Sequence, residues 1–475
     1  MTNEPILDNN SPPDAKIALF RDLFRGRDDV YPLRFESRKT GKSGYQPACA
    51  NEWVKGLCDK RKTRCVECPN RRFLPVTDEV IRSHLSGRNE IGRDFVMGVY
   101  PMLLDESCFL LAVDFDGKNW REDAAAYLDT CRRMGIPVAL ERSRSGNGAH
   151  VWLFFSEPVQ AALARKLASH LLTETMERRP DIGLDSYDRF IPGQDTLPHG
   201  GLGNLVALPL QKIARAQENS IFLDDNFLPH ADQWASLSLV KKISAAQAEE
   251  IVREAGDRII GVRLAPADET DPAPWSAPPS RRRQEPPVTD LPESLDLVLG
   301  DQVYIPKDTL SPSLRNRLLR LAAFQNPEFY RAQAMRRSTY GAPRIIACAE
   351  DYSQHIGLPR GCLNEIRELL SSLKVRTMVH DERFGGTPLT TAFRGELRPA
   401  QRIAAEAMAA HETGVLSATT AFGKTVIAAW LIAERGVNTL VLVHRRQLLE
   451  QWIERLSTFL DLPEGAIGQI GGGRR

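Results

Sequence analysis

The stretch from Phe109 to Phe155 constrains this 475-residue chain more than any other. An apolar run, Phe109–Val113, delivers two carboxylates, Asp114 and Asp116, two residues apart. On a strand those side chains share one face, where two acids can hold one hard cation or a pair of them. Glu122 to Met134 has helical composition and stops at Gly135, and Ile136–Leu140 is a second apolar run. The glycine-rich turn Ser143–Gly148 then leads into His150 at the head of a third run, Val151–Phe155. Carboxylates at one strand end and a Ser-Gly-x-Gly-x-His turn at another suit a metal-bound triphosphate. Divalent ions bridge phosphate oxygens, and a turn with open backbone N–H groups cradles them. The bland alternative is that an acid pair at a strand end is only turn chemistry.

These residues resemble the archaeo-eukaryotic primase superfamily, whose pattern is an apolar strand ending in Asp-x-Asp, then Ser-x-His, then an apolar residue followed by Asp. Asp114 and Asp116 fit the first element, and His150 in SGNGAH fits the second. The third looks like Asp188 in LDSYDRFIPGQD, with Asp185 and Asp195 as rivals. The wording SRSGNGAHVWLFF, followed by YDRFIPGQDTLPHGGLGNLVALPLQ, is most similar to the primase-polymerase domain of TOTE conflict systems, where such a domain is joined to a helicase. The resemblance implies an α+β catalytic domain in which Asp114, Asp116 and Asp188 hold two Mg2+ or Mn2+ ions. It also implies that His150, with Ser145, Gly146 and Gly148, meets the triphosphate of an incoming nucleotide.

A net charge of +1 provides no global field toward nucleic acid, so any basic footprint must be local. The N-terminus lacks a basic region followed by an apolar core, and no run approaches 18 apolar residues. The reading is a cytoplasmic protein without a membrane span. Eight cysteines in so long a chain do not make a secreted disulfide scaffold.

Asp14 to Gly26 reads as a short amphipathic helix. Cys49, Cys58, Cys65 and Cys68 follow, with a closing Cys-x-x-Cys, and suit a tetrahedral zinc site; two disulfides are the rival. From Phe73 to Arg93 the pattern is helical, and Val159–Met176 is a further helix. Tyr187–Gln211 is a polar loop carrying Asp188, Arg189, Gln194, Asp195, His199 and Asn204, beside a short strand at Asn204–Leu208. Ser244 and Gln247 form a capping box for a helix over Ala245–Ala255. Ala265–Pro292, proline-rich and holding Arg281–Arg283, cannot bury a core and reads as a linker. Leu310–Leu373 reads as mostly helical and basic, either a DNA-gripping module or a domain bridge. Cys348 and Cys362 read as buried thiols.

In the C-terminal part, ATTAFGKT (Ala418, Thr419, Thr420, Ala421, Phe422, Gly423, Lys424, Thr425) matches the phosphate-loop pattern with alanine for the first glycine. A strand at Val415–Leu416 feeds it, a helix over Val426–Arg435 follows and stops at Gly436, and Thr439–His444 is a second strand. Lys424 would neutralise the β- and γ-phosphates of ATP, and Thr425 would ligate Mg2+. The order LRPAQ, GKT, LVLVHRRQLLEQW resembles superfamily-two helicases of the XPB-like kind. It implies that Gln401 reads adenine and that Arg445 and Arg446 touch the DNA backbone. No Asp-Glu-x-His box follows, so the text reads as a fragment of a longer protein, or else as a motor remnant unable to hydrolyse ATP.

The expected class is α/β, with six regions. These are an N-terminal helix and loop (1–44), a zinc knuckle (45–75), a primase-polymerase-like domain (76–264), the linker (265–292), a helical accessory region (293–390) and a partial RecA-like lobe (391–475). The expected activity is nucleotidyl transfer joined to a helicase acting on DNA, with RNA an alternative partner. The rivals are a catalytically silent primase-like clamp for the helicase and a metal-dependent nuclease.

Overall fold

In a computed structural model the described residues are 6–37, 40–260, 262, 288, 290–463 and 465–471. Nearly all of the linker 265–292, with Arg281–Arg283, lies outside them. The chain divides into two units: Met1–Leu295 with Ile305–Leu358 and Glu365–Thr377, and Asp296–Tyr304 with Pro359–Asn364 and Met378–Arg475. Helices and sheets are mixed throughout, as an α/β reading requires.

The first unit opens with α1 (Pro13–Leu23), then the hairpin β1 (Pro32–Glu36) and β2 (Ser43–Pro47). Helix α2 (Asp78–Ser86) is narrower than expected. Thr77 caps its start, its hydroxyl accepting the Val80 N–H at 3.3 Å, and Gly87 ends it with a φ of 81°. Strand β3 (Gly98–Val99) leads to β4 (Ser107–Asp116), α3 (Trp120–Arg133), β5 (Ala139–Arg142), β6 (Gly148–Gln160) and α4 (Ala161–Met176). Then come β7 (Phe190–Ile191), β8 (Val206–Ala207), α5 (Lys212–Arg215), β9 (Ile221–Leu223), α6 (Gln233–Ser238) and α7 (Ala245–Ala255). Ser244 and Gln247 form the expected capping box on α7.

One antiparallel sheet, in the order β7-β4-β6-β5-β9, carries the core. Both faces of β4 and β6 are covered, so their apolar runs are continuous: Leu110, Leu111, Ala112, Trp152, Leu153 and Phe154 are all buried. Side chains alternate between two layers. Phe115 packs on Tyr127 of α3, at 5.5 Å between ring centroids. On the opposite face Phe24, just past α1, meets Trp152 and Phe154 edge-on at 5.1 and 5.6 Å. Asp114, Asp116 and His150 belong to this second face, where the apolar cover ends.

Buried His84 ties α2 to the sheet region, accepting the Met97 N–H on Nδ1 at 3.1 Å and donating from Nε2 to the Pro209 carbonyl at 2.8 Å. Accepting at Nδ1 needs the neutral ring with its proton on Nε2. Burial pushes its pKa down to about 4, against the pull of the Pro209 carbonyl. The unfolded chain takes up this proton below about pH 6.5 while the folded one resists until about 4. Stability present at neutral pH is therefore lost on acidification, by about 3 kcal/mol from this group. Denaturant unfolding at pH 7 and pH 4 is expected to show a drop larger by that amount in the native chain than in His84→Gln.

Past the linker come β10 (Ser294–Leu299), β11 (Gln302–Pro306), α8 (Pro312–Leu321), β12 (Ala323–Gln325), α9 (Pro327–Ala334), β13 (Ile345–Ala347), β14 (Glu350–Asp351), β15 (His355–Pro359), α10 (Leu363–Ser372) and β16 (Arg376–Asp381). This corrects the mostly helical expectation. Ile345 and Ile346, read as helix, pair with Gln325 and Phe324 on β12, where branched side chains pack better. Cys348, just outside that ladder, is exposed and Cys362 half-buried, so neither is a buried thiol.

The second unit holds α11 (Pro399–Ala409), α12 (Lys424–Arg435) and α13 (Arg446–Phe459). Gly436 ends α12 in the left-handed region, φ 58°, as expected. The strands expected at Val415–Leu416 and Thr439–His444 do not form among the described residues. Val415, Leu440 and Leu442 stand 92%, 77% and 83% exposed. A parallel strand is stable only when neighbours pair with it and helices cover it, and neither segment finds such a partner here.

Candidate active site

Three adjacent strands place three polar side chains in one row. The register pairs Asp114 of β4 with His150 of β6, and His150 with Glu141 of β5. Directly opposed residues point to the same face, so the row runs Asp114–His150–Glu141. His150 Nδ1 donates to Glu141 Oε2 at 2.9 Å, and its Nε2 lies 3.6 Å from Asp114 Oδ1. Burial pushes the imidazole down, but the charge and hydrogen bond of Glu141, with Asp114 behind them, leave it above its ordinary pKa. Glu141 is 1% exposed and also accepts Trp152 Nε1–H at 2.7 Å.

The Asp114 carboxyl is held above the usual range, first by burial and then by Asp116, while His150 and Arg189 pull it back. Asp116, two residues on, is exposed and paired with Arg189 Nη1 at 2.9 Å. Arg189 reaches Asp185 with its other nitrogen, also at 2.9 Å, and so bridges the two acids. Asp188 just precedes β7, which lies along β4, yet its carboxylate accepts the Arg344 main-chain N–H at 3.0 and 3.2 Å. Burial raises that carboxyl, and Arg344 only partly offsets it. Asp195 is bound to the Arg165 guanidinium, with Nη2 at 2.8 Å from Oδ2, and the pair keeps its carboxyl low despite burial. This edge of the sheet thus gathers the row Asp114–His150–Glu141 and Asp116, with Asp185 linked through Arg189, while Asp188 and Asp195 are engaged elsewhere.

Gly146 and Gly148 are explained by space. A Cβ on Gly148 would meet the Phe115 carbonyl at 2.7 Å, and Gly146 has φ 78° with Asn219 Oδ1 2.6 Å from where a Cβ would stand. The turn closes tightly, Ser143 N–H donating to the Gly148 carbonyl at 2.9 Å, and Ser145 Oγ lies 3.1 Å from Ser143 Oγ. Glu141 was missed from sequence. Counting outward from the glycine-rich turn Ser143–Gly148, which the sequence does show, places residue 141 opposite 150.

Cys49, Cys58, Cys65 and Cys68 line one cavity of about 30 Å³. Burial pushes the Cys65 thiol up, Lys60 pulls it down, and Cys58 and Cys49 add to the rise. The donor set is that of a zinc knuckle. Among the described residues, no three His, Cys, Asp or Glu side chains are set to hold a metal ion, here or at the Asp114 edge.

In the second unit Lys424 Nζ donates to the carbonyls of Ala418 and Thr419 at 2.8 and 3.1 Å, curling over the loop that precedes α12. Gln401 is 4% exposed and donates to the Phe422 carbonyl at 2.7 Å, while its oxygen accepts the Arg398 N–H at 2.9 Å. Both ends of the amide are engaged within the chain. Gly423 has φ 94°, and a Cβ there would sit 2.4 Å from Gln401 Nε2. Thr425 lies in the first turn of α12. Arg445 precedes α13, and Arg446 pairs with Glu450 at 3.1 Å on the surface.

Residues 15–251 match the family described as TOTE conflict system, Archaeo-Eukaryotic Primase domain, and residues 394–475 match Type III restriction enzyme, res subunit. The DNA 3'-5' translocase XPB2 of Sulfurisphaera tokodaii is 36% identical over 73 residues, 15% of this chain and 17% of that protein. The DNA 3'-5' helicase XPB of Mycobacterium tuberculosis is 35% identical over 80 residues, 17% and 15% of the two. The chain thus spans about one sixth of the length of these curated relatives. The polymerase domain of Mycobacterium tuberculosis Ligase D, solved with DNA, is matched at 11% identity over 51% of this chain and 86% of that one, with a TM-score of 0.25. With both matches on one chain, residues 15–251 belong to the archaeo-eukaryotic primase domain family of TOTE conflict systems, and residues 394–475 are similar to XPB helicases and to the Type III restriction res subunit.

Proposed function

We propose that the first unit is a nucleotidyl transferase that extends a nucleic-acid strand, and that the 394–475 region binds ATP for a DNA helicase. The observation that carries the first part is the Asp114–His150–Glu141 row, with Asp116 two residues along β4 on the same face. In the reaction a strand 3′-hydroxyl attacks the α-phosphorus of a nucleoside triphosphate, a phosphodiester bond forms, and pyrophosphate leaves. Asp114 and Asp116 offer hard oxygen donors on one face, the chemistry a divalent ion needs. They would hold Mg2+ or Mn2+, with Asp188 or Asp185 as the third acid, and the ion would supply charge neutralisation for the triphosphate when bound. His150, fixed by Glu141, turns its Nε2 toward this edge and would orient the triphosphate together with the Ser145 turn.

Zinc on the four cysteines is part of the same reading and would brace the knuckle. So is a cytoplasmic location, where thiolates stay reduced; no helix among the described residues is long and apolar enough to cross a membrane. Lys424 and Thr425 would meet ATP phosphates and Mg2+. Lys424→Ala is expected to weaken ATP binding on the order of tenfold or more, since it removes the loop's one cation. An ATP titration with unchanged affinity would take this loop out of the proposal.

The deciding experiment is extension on primed and unprimed templates with Mg2+ or Mn2+ and all eight nucleotides. Extension that vanishes in Asp114→Ala/Asp116→Ala establishes the transferase. Intact DNA binding without extension leaves a clamp for the helicase, and product shortening indicates a nuclease.

A further inference from the structure

The loop after Asp188 is held by residues from beyond the proline-rich linker. Asp188 accepts the Arg344 N–H, and Arg344, only 1% exposed, donates from Nη2 to the Gly193 carbonyl. Its guanidinium lies over the Phe329 ring, 4.5 Å from the centroid. Gln333 makes a two-point contact with Asp195, accepting its N–H at 3.1 Å and donating to its carboxylate at 2.8 Å. Gln194 donates to the buried Thr339 hydroxyl at 2.6 Å, and the His199 N–H to the Arg336 carbonyl at 3.0 Å. The β12–β13 ladder fixes the approach, with the Asn326 N–H donating to the Arg344 carbonyl at 2.9 Å. A DNA-gripping module or a simple bridge has no need to bond this loop at Asp188, Gly193, Gln194, Asp195 and His199.

We infer that the segment Pro327–Ala347, outside the matched primase region, is a positioning element of the active site: it clamps the 188–199 loop and so sets where the Asp188 carboxylate stands. The word active rests on the transferase reading, whereas the clamp does not. Arg344 holds the loop at Asp188 and Gly193 and Gln333 holds it at Asp195, so its start and its middle are both fixed. The polar character of the contacts also makes the clamp specific, since a shifted loop would leave buried donors without acceptors.

Hydrogen exchange of the full chain, read by mass spectrometry, tests the clamp without any activity. Gln333→Ala and Thr339→Val, singly and together, are expected to speed exchange of peptides covering 184–199 on the order of tenfold, leaving β4 and β6 unchanged. Thr339→Ser keeps the hydroxyl and is expected to restore slow exchange. Ser313→Ala removes a different bond of the region past the linker, 2.8 Å to Glu177, and is expected to leave the loop unaltered. In extension assays the double variant is expected to need about fivefold more Mn2+ for half-maximal rate, with kcat at saturating Mn2+ nearly kept. Unchanged exchange overturns the clamp. Faster exchange with an unchanged Mn2+ requirement overturns positioning. A native chain that extends nothing sinks the transferase reading alone, and exchange still decides the clamp.

Discussion

Asp114→Asn is expected to abolish extension, on the order of a thousandfold or about 4 kcal/mol of transition-state stabilisation, while leaving the fold as stable as before or more so. The two halves of this expectation share one cause. Burial and Asp116 hold the Asp114 carboxyl above its usual range, so the folded state disfavours its charge. A group raised in this way costs stability wherever the pH forces it to ionise, and the neutral amide removes that cost. His150 and Arg189 offset that cost only in part, and a ligand that brings further positive charge would make the carboxylate favourable. Asp116→Asn is the useful contrast, because it also breaks the 2.9 Å pair with Arg189. Thermal midpoints and extension rates on the two variants check both halves. An Asp114→Asn chain that still extends would show that the reaction centre lies elsewhere.

How much of this was legible in the sequence depended on how local each signal is. The β4 run ended at Asp114 because cover on its outer face ends there, and composition reported that directly. The α7 capping box and the Gly436 stop were equally local. The third acid was not, since Asp185, Asp188 and Asp195 are alike in sequence and differ only in which arginine lies beside them: Arg189, Arg344 or Arg165. Two of those partners sit far away along the chain. Region 293–390 was misread for the same reason, because Ile345 and Ile346 become strand only when β12 is there to pair with them. The strands at 415–416 and 439–444 fail in the opposite direction: the apolar pattern was present and the neighbours were not.

Glu141→Ala is expected to lower kcat/KM for nucleotide on the order of a hundredfold, about 2.7 kcal/mol, whereas Glu141→Gln is expected to stay within roughly tenfold of the native chain. Glu141 Oε2 receives two bonds, from His150 Nδ1 and from Trp152 Nε1. Indole nitrogen is only ever a donor, and a carboxylate oxygen only an acceptor, so His150 must carry its proton on Nδ1. That fixes the ring with Nε2 toward Asp114. Alanine leaves two buried donors without a partner, at about 1–3 kcal/mol each in stability, and frees the ring to turn. Glutamine can keep one oxygen facing both donors while its amide faces Ser220, whose hydroxyl lies 3.4 Å from Glu141 Oε1. The nitrogen chemical shifts of His150 are expected to show a protonated Nδ1 in the native and Gln chains and a mixture in the Ala chain. If Gln loses as much activity as Ala while keeping the Nδ1–H form, the charge of Glu141 and not its hold on the ring is what the site uses. Unchanged activity in Glu141→Ala would remove His150's orientation from the mechanism altogether.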